Sequence, residues 1–167
     1  MRFTTKRIAA LAGLAIVAGL ALAWPHLLRA QPAWAYTVPT TPGAQRNSLN
    51  TVRSQVRSLQ NATQNAPNYV QSGYGMVWQQ FQDLRGAYAG LKSTLTPNQL
   101  NYGANDFAEL DAGLDILQEA FANYQDDVGA GRSPNWALRN MCQVLSQAAG
   151  VWLQEFNQDC NRLRVGW

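Results

Sequence analysis

Eight residues, Val70, Tyr74, Val77, Phe81, Leu84, Tyr88, Leu91 and Leu95, follow one another at spacings that alternate between 4 and 3 without a miss. An α-helix completes a turn every 3.6 residues, so this rhythm lays all eight along one side of a helix. A strand, with its period of two, cannot carry the same pattern. One apolar seam also demands a cover, because a helix with a single oily stripe is stable only against other elements that bury it.

The rest of the chain supplies that cover in the same rhythm. Leu49, Val52, Val56 and Leu59 predict a first helix that ends in the polar Asn61-to-Asn68 segment around Pro67. Phe107, Leu110, Leu114, Leu117, Phe121, Tyr124 and Val128 predict a third, with Gly129 or Gly131 free to close it in a left-handed conformation. A fourth runs through Leu138, Cys142, Leu145, Ala149, Trp152, Phe156, Cys160 and Leu163. Thr96-Pro97 and Ser133-Pro134 each place a capping hydroxyl before a proline at the first helical position, where its missing N–H does no harm. Short connections between such helices force antiparallel neighbours. The expected fold is therefore all-α, an up-down-up-down antiparallel four-helix bundle over residues 46–167, with no sheet.

Residues 1–35 read differently. Arg2, Lys6 and Arg7 precede an uninterrupted apolar run from Ile8 to Trp24, and a small-x-small site, Ala33-Trp34-Ala35, follows. That is the layout of a secretory signal cleaved before Tyr36. The same segment, through Ile8, Leu11, Leu14, Ile16, Leu20 and Leu28, also reads as a retained transmembrane helix, since residues 8–28 would rise about 31 Å. Either way the positive start stays cytoplasmic and the helical domain is exported. Residues 36–45, with Val38-Pro39-Thr40-Thr41-Pro42-Gly43, read as an extended Pro-rich tether.

The formal charge of +3 belongs to the leader, which holds Arg2, Lys6, Arg7 and Arg29; residues 36–167 carry nine Lys/Arg against ten Asp/Glu. Without a basic face, nucleic-acid binding is not expected. The charges are unevenly placed. Arg46, Arg53, Arg57, Arg85 and Lys92 stand against Asp83 alone in residues 36–95, whereas residues 96–131 hold seven acids and no base. Attraction between adjacent helices is the expected use of that asymmetry, and a docking surface is the alternative.

The same inventory argues against catalysis. The sole histidine is His26, in the leader, so the domain has no imidazole to activate a Ser or Cys nucleophile and no Glu-x-x-His pair for a metal centre. No Gly-rich phosphate loop occurs. The carboxylate pairs Asp111/Asp115 and Asp126/Asp127 fall between seam positions, where a solvated face is expected. No cofactor, metal or catalytic residue is assigned. Cys142 and Cys160 lie 18 residues apart, about 27 Å on one helix, and are expected to be core thiols, although an oxidising compartment argues for a bond. The residues left for contact with a partner are Arg53, Arg57 and Arg85, with Trp78 and Trp136, which fall off the seams.

Two details carry a resemblance. Gln31-Pro32-Ala33-Trp34-Ala35 looks like the cleavage region of proteins sent into the cyanobacterial thylakoid lumen or periplasm. A Pro-rich tether followed by four helices, with Leu95-Thr96-Pro97 between the second and third, is similar to the Q extrinsic subunit of photosystem II. That resemblance implies a non-catalytic accessory subunit on the lumenal or periplasmic side of a photosynthetic membrane complex, stabilising it or assisting its assembly. An uncleaved, membrane-anchored subunit of such a complex is the alternative. Leu95-Thr96-Pro97-Asn98-Gln99 also resembles the Leu-Thr-x-x-Gln motif of small periplasmic stress-response chaperones, which implies a free binding module instead.

Overall fold

The structure is a computed structural model that describes residues 41–167. The candidate signal or membrane segment, with Ile8, Leu11, Leu14, Ile16, Leu20 and Leu28, lies outside the described residues, as do residues 36–40 of the tether. Among the described residues the secondary structure is helical and no strand occurs. The helices are α1 (Pro42–Asn65), α2 (Gly73–Ser93), α3 (Pro97–Tyr102), α4 (Ala104–Gly129) and α5 (Pro134–Arg162), with a 3-10 turn at Ala66–Asn68 after α1. No described helix is long and apolar enough to cross a membrane.

The first helix starts earlier than the expected boundary at residue 46. Thr41 is its N-cap, accepting a hydrogen bond from the Ala44 N–H at 3.2 Å, and Pro42 fills the first turn. The Thr-Pro-Gly run that reads as extended chain is thus a helix start, because proline's fixed φ suits the first turn as well as a tether. Val70 corrects a second expectation. It precedes α2 and is exposed, since Pro67 and the 3-10 turn delay the helix until Gly73. Gly73 seats this corner: a Cβ there would come within 2.5 Å of the Ala66 carbonyl oxygen and 2.9 Å of Leu138.

The expected third helix is two helices. Thr96 and Gln99 form a reciprocal capping box that starts α3, and Gly103 interrupts the chain before α4 begins. The Leu-Thr-x-x-Gln sequence therefore has a local structural use, satisfying backbone donors at a helix start. Gly131, at φ +81°, provides the left-handed turn after α4. Ser133 precedes Pro134 as expected but makes no side-chain cap bond.

Side-chain contacts show how the long helices run. Gln45 reaches the Thr94 carbonyl, so the start of α1 meets the end of α2. Lys92 pairs with Asp111, and Tyr74 accepts a hydrogen bond from Gln125, so α2 and α4 are antiparallel. Trp152 bonds the Leu110 carbonyl and Arg162 pairs with Asp106, which sets α5 antiparallel to α4. Arg53 donates to Asn157 and Arg46 to the Gly166 carbonyl, which brings α5 and the C-terminal tail back alongside α1. The seam residues fill the space between, with Val56, Leu59, Phe81, Leu84, Leu117, Leu145 and Phe156 wholly buried. Burial of each such side chain contributes about 1.5–3 kcal/mol relative to leaving it in water.

α5 is unbroken through Gly150, so Cys142 and Cys160 stay on one helix as buried free thiols. Burial pushes their pKa values up to about 11 and about 12, which keeps both protonated. Leu163, expected within the helix, lies just past its end and is still buried.

Candidate docking groove

The charge asymmetry is only partly spent inside the protein. Of the five bases in residues 36–95, Lys92 alone makes an ion pair among the described residues, at 2.8 Å to Asp111. Arg46, Arg53 and Arg85 bond neutral oxygens on Gly166, Asn157 and Gln118. Attraction between neighbouring helices therefore accounts for two of the acids on α4, Asp111 with Lys92 of α2 and Asp106 with Arg162 of α5, while Asp127 pairs locally with Arg132. Glu109, Asp115, Glu119 and Asp126 have no ion partner among the described residues. Asp115, Glu119 and Asp126 are spaced 4 and 7 apart, which sets them in one stripe along α4.

Two members of that stripe, Asp115 and Glu119, line an open groove between α2 and α4, a cavity of about 370 Å³. Tyr74 and Trp78 supply its wall from α2, and Asp115, Gln118, Glu119, Ala122 and Gln125 come from α4, with Phe121 as the floor. The aromatic rings are held in place from beneath. Trp78 meets Phe121 edge-on at 4.9 Å, Phe121 packs on Phe81 at 5.2 Å, and Tyr74 stacks on Tyr124 at 4.8 Å. The Gln125 amide donates to the Tyr74 hydroxyl at 3.0 Å. An exposed aromatic face beside unpaired carboxylates attracts cations twice, through the ring quadrupole and through charge.

The five residues expected to contact a partner do not form one face. Trp78 lines the groove, half-buried and not a plain surface residue, and Arg85 stands at its rim, bonded to Gln118. Arg53 and Arg57 are on α1, and Arg53 is turned to α5 through Asn157. Trp136 lies at the start of α5 under the Arg132 guanidinium, 5.2 Å from its ring centre. Their separation follows from the helix order, since α1 adjoins α2 and α5 but makes no such bond to α4. Tyr74, Gln118 and Gln125 are not singled out by the sequence reading; the one-turn spacing of Asp115 and Glu119 is the signal that could have pointed there.

A second acidic cluster lies between α4 and α5. Burial first, then the charges of Glu109 and, for Asp159, of Glu155, raise the carboxyl pKa values of Glu155 and Asp159. Arg162 approaches Asp159 at 3.6 Å but also serves Asp106, so its charge is shared and does not offset the crowding. Raised folded-state pKa values mean that the native state holds protons the unfolded chain releases. The cluster's contribution to stability is thus full below the ordinary carboxylate range and is lost as pH rises through the raised values. Glu155→Gln is expected to unfold at higher urea than the wild type at neutral pH, and the difference should close by roughly pH 4. A difference that stays constant with pH would show that Glu155 does not titrate with folding.

Among the described residues no group of His, Cys, Asp and Glu is placed to hold a metal ion. No protein-family model matches the chain, and neither the curated proteins nor the solved structures compared with it give a match.

Proposed function

We propose that this protein is a non-catalytic docking subunit on the exported side of a membrane, in which an antiparallel four-helix bundle grips a basic segment of a partner in the groove between α2 and α4. The observation that carries this reading is the meeting of Tyr74 and Trp78 with unpaired Asp115 and Glu119 in one open groove. A Lys or Arg of the partner gains both the ring face and the carboxylates, and the rigid floor of Phe121 and Phe81 limits the ordering cost of binding. The domain's lack of histidine supports a binding role over catalysis. The charged start, the apolar run and Ala33-Trp34-Ala35 support export, by a cleaved signal or with residues 8–28 retained as an anchor. The resemblance to the Q extrinsic subunit makes a photosynthetic membrane complex, in the thylakoid lumen or periplasm, the partner to test first.

The test is native-gel migration of the tagged full-length chain from solubilised membranes, beside a variant carrying Trp78→Ala, Asp115→Asn and Glu119→Gln. The wild type is expected to travel with a large membrane complex and the variant to be released from it, with helical content unchanged by circular dichroism. A wild type that runs alone would sink the subunit reading and favour a free periplasmic binding module. A triple variant that still travels with the complex would place the contact elsewhere than the groove.

A further inference from the structure

The end of the molecule where α1 begins is built differently from the groove. Gln45, nearly fully buried, ties three segments together there: its amide donates to the Thr94 carbonyl at 2.9 Å and to Gln99 Oε1 at 2.8 Å, and its Oε1 accepts the Gly166 N–H at 3.0 Å. The Arg46 guanidinium closes the same end by donating to the Gly166 carbonyl. This knot fixes α3 and the C-terminal tail beside the first turn of α1, and from it three apolar or aromatic side chains project into solvent. Tyr102 is 79% exposed, Trp167 77% and Leu100 37%. Exposed Arg46 and Arg164 flank them, and neither makes an ion pair among the described residues.

We infer that this end is a membrane-interface surface, which seats Tyr102, Trp167 and Leu100 in the headgroup region of an anionic bilayer while Arg46 and Arg164 bind lipid phosphates. Tyrosine and tryptophan suit that layer because each joins an apolar ring to a polar group that stays wet. Arginines beside them are drawn to the negative leaflet surface. The chain itself argues for a bilayer as the occupant. The described residues begin at Thr41, at this end, and in the retained-anchor form the membrane segment 8–28 ends only 13 residues earlier, a reach of at most about 45 Å. The opposite end exposes rings too, Tyr69 at 58% and Trp136 at 48%, but Arg132 covers Trp136 and is itself paired with Asp127, and Asp126 beside that pair, with no ion partner among the described residues, carries a negative charge that an anionic leaflet repels.

The surface is separate from the groove, so it can be tested with no protein partner present, and failure here would leave the docking reading standing. The full-length chain is reconstituted with vesicles of phosphatidylcholine and phosphatidylglycerol whose acyl chains carry bromine near the headgroup, and tryptophan quenching is read for the wild type, Trp167→Phe and Trp136→Phe. Trp167→Phe is expected to remove a clear share of the quenching and Trp136→Phe none. Arg164→Gln, or vesicles of phosphatidylcholine alone, should shrink the Trp167 share. Three results would overturn the inference: quenching untouched by Trp167→Phe, an equal loss with Trp136→Phe, or a Trp167 share that ignores both Arg164 and the anionic lipid.

Discussion

Replacing Trp152 with alanine is expected to cost about 3–5 kcal/mol of unfolding free energy. Its indole is buried between α4 and α5, stacked on Phe156 at 5.1 Å and met edge-on by Tyr88 at 5.5 Å. Its N–H donates to the Leu110 carbonyl at 2.9 Å, a main-chain oxygen in the middle of a neighbouring helix. Truncation leaves a cavity that three helices border and removes the bond as well, so both the transfer and the cavity contributions are lost together.

The ring lies this close to α4 because residue 113 is glycine. A Cβ at Gly113 would stand 2.6 Å from Trp152 Cδ1, closer than real contacts allow. Gly113→Ala is therefore expected to destabilise by about 1–3 kcal/mol through overpacking, although alanine is the better helix former by about 1 kcal/mol. The two changes should not add, since the new methyl group points into the space that Trp152→Ala vacates. Urea unfolding of the two single variants and the double variant measures that coupling. A Trp152→Ala cost below about 1 kcal/mol, or strict additivity, would show that the indole and the glycine do not form one packed unit.

The same pair shows which parts of the fold were legible in the sequence. Trp152 sits in phase with Leu145, Ala149 and Phe156, so its burial could be read from spacing. Gly113 could not be singled out, because its use depends on what α5 brings opposite it. Boundaries failed for a related reason. Thr41-Pro42-Gly43 permits either an extended tether or a helix start, and the choice is made by the knot that Gln45 forms with Thr94, Gln99 and Gly166, residues distant in the chain. Gly103 breaks the third helix where Leu163 of the tail crowds it: a Cβ would meet Leu163 Cδ1 at 2.5 Å. Periodicity reports the face a helix buries, not the neighbour that trims its ends.

For the candidate site the limit was stricter. Trp78 and Arg85 were singled out because they fall off the seam, and the groove uses the first directly and the second at its rim. Arg53, Arg57 and Trp136 passed the same criterion and lie elsewhere, since a seam argument identifies residues that face away from the core but not the direction in which they face. Tyr74 reads as a seam residue, yet its ring divides its contacts between Phe121 and Tyr124 and leaves part of itself in the groove. Opposite helices had to be placed before an aromatic wall could meet an acidic one.

Phe121→Ala should cost about as much as Trp152→Ala, roughly 3–5 kcal/mol, while Trp78→Ala costs far less. Phe121 is buried and is the one ring that contacts Tyr74, Trp78 and Phe81 at once, with centroid distances of 5.8, 4.9 and 5.2 Å. Removing it withdraws the floor from under both walls of the groove. Trp78 is only half-buried, so its truncation gives up less apolar area, together with its edge-on contact to Phe121 and a tilted one to Phe81, each such pair worth about 0.5–1.5 kcal/mol beyond area. Parallel urea titrations of the two variants measure the gap. Equal losses would make Trp78 a core residue whose exposed edge is incidental, and the docking argument would then lose its aromatic wall. A wide gap, with Trp78→Ala close to wild type in stability but released from its partner complex, separates the ring that holds the helices from the ring that is free to bind.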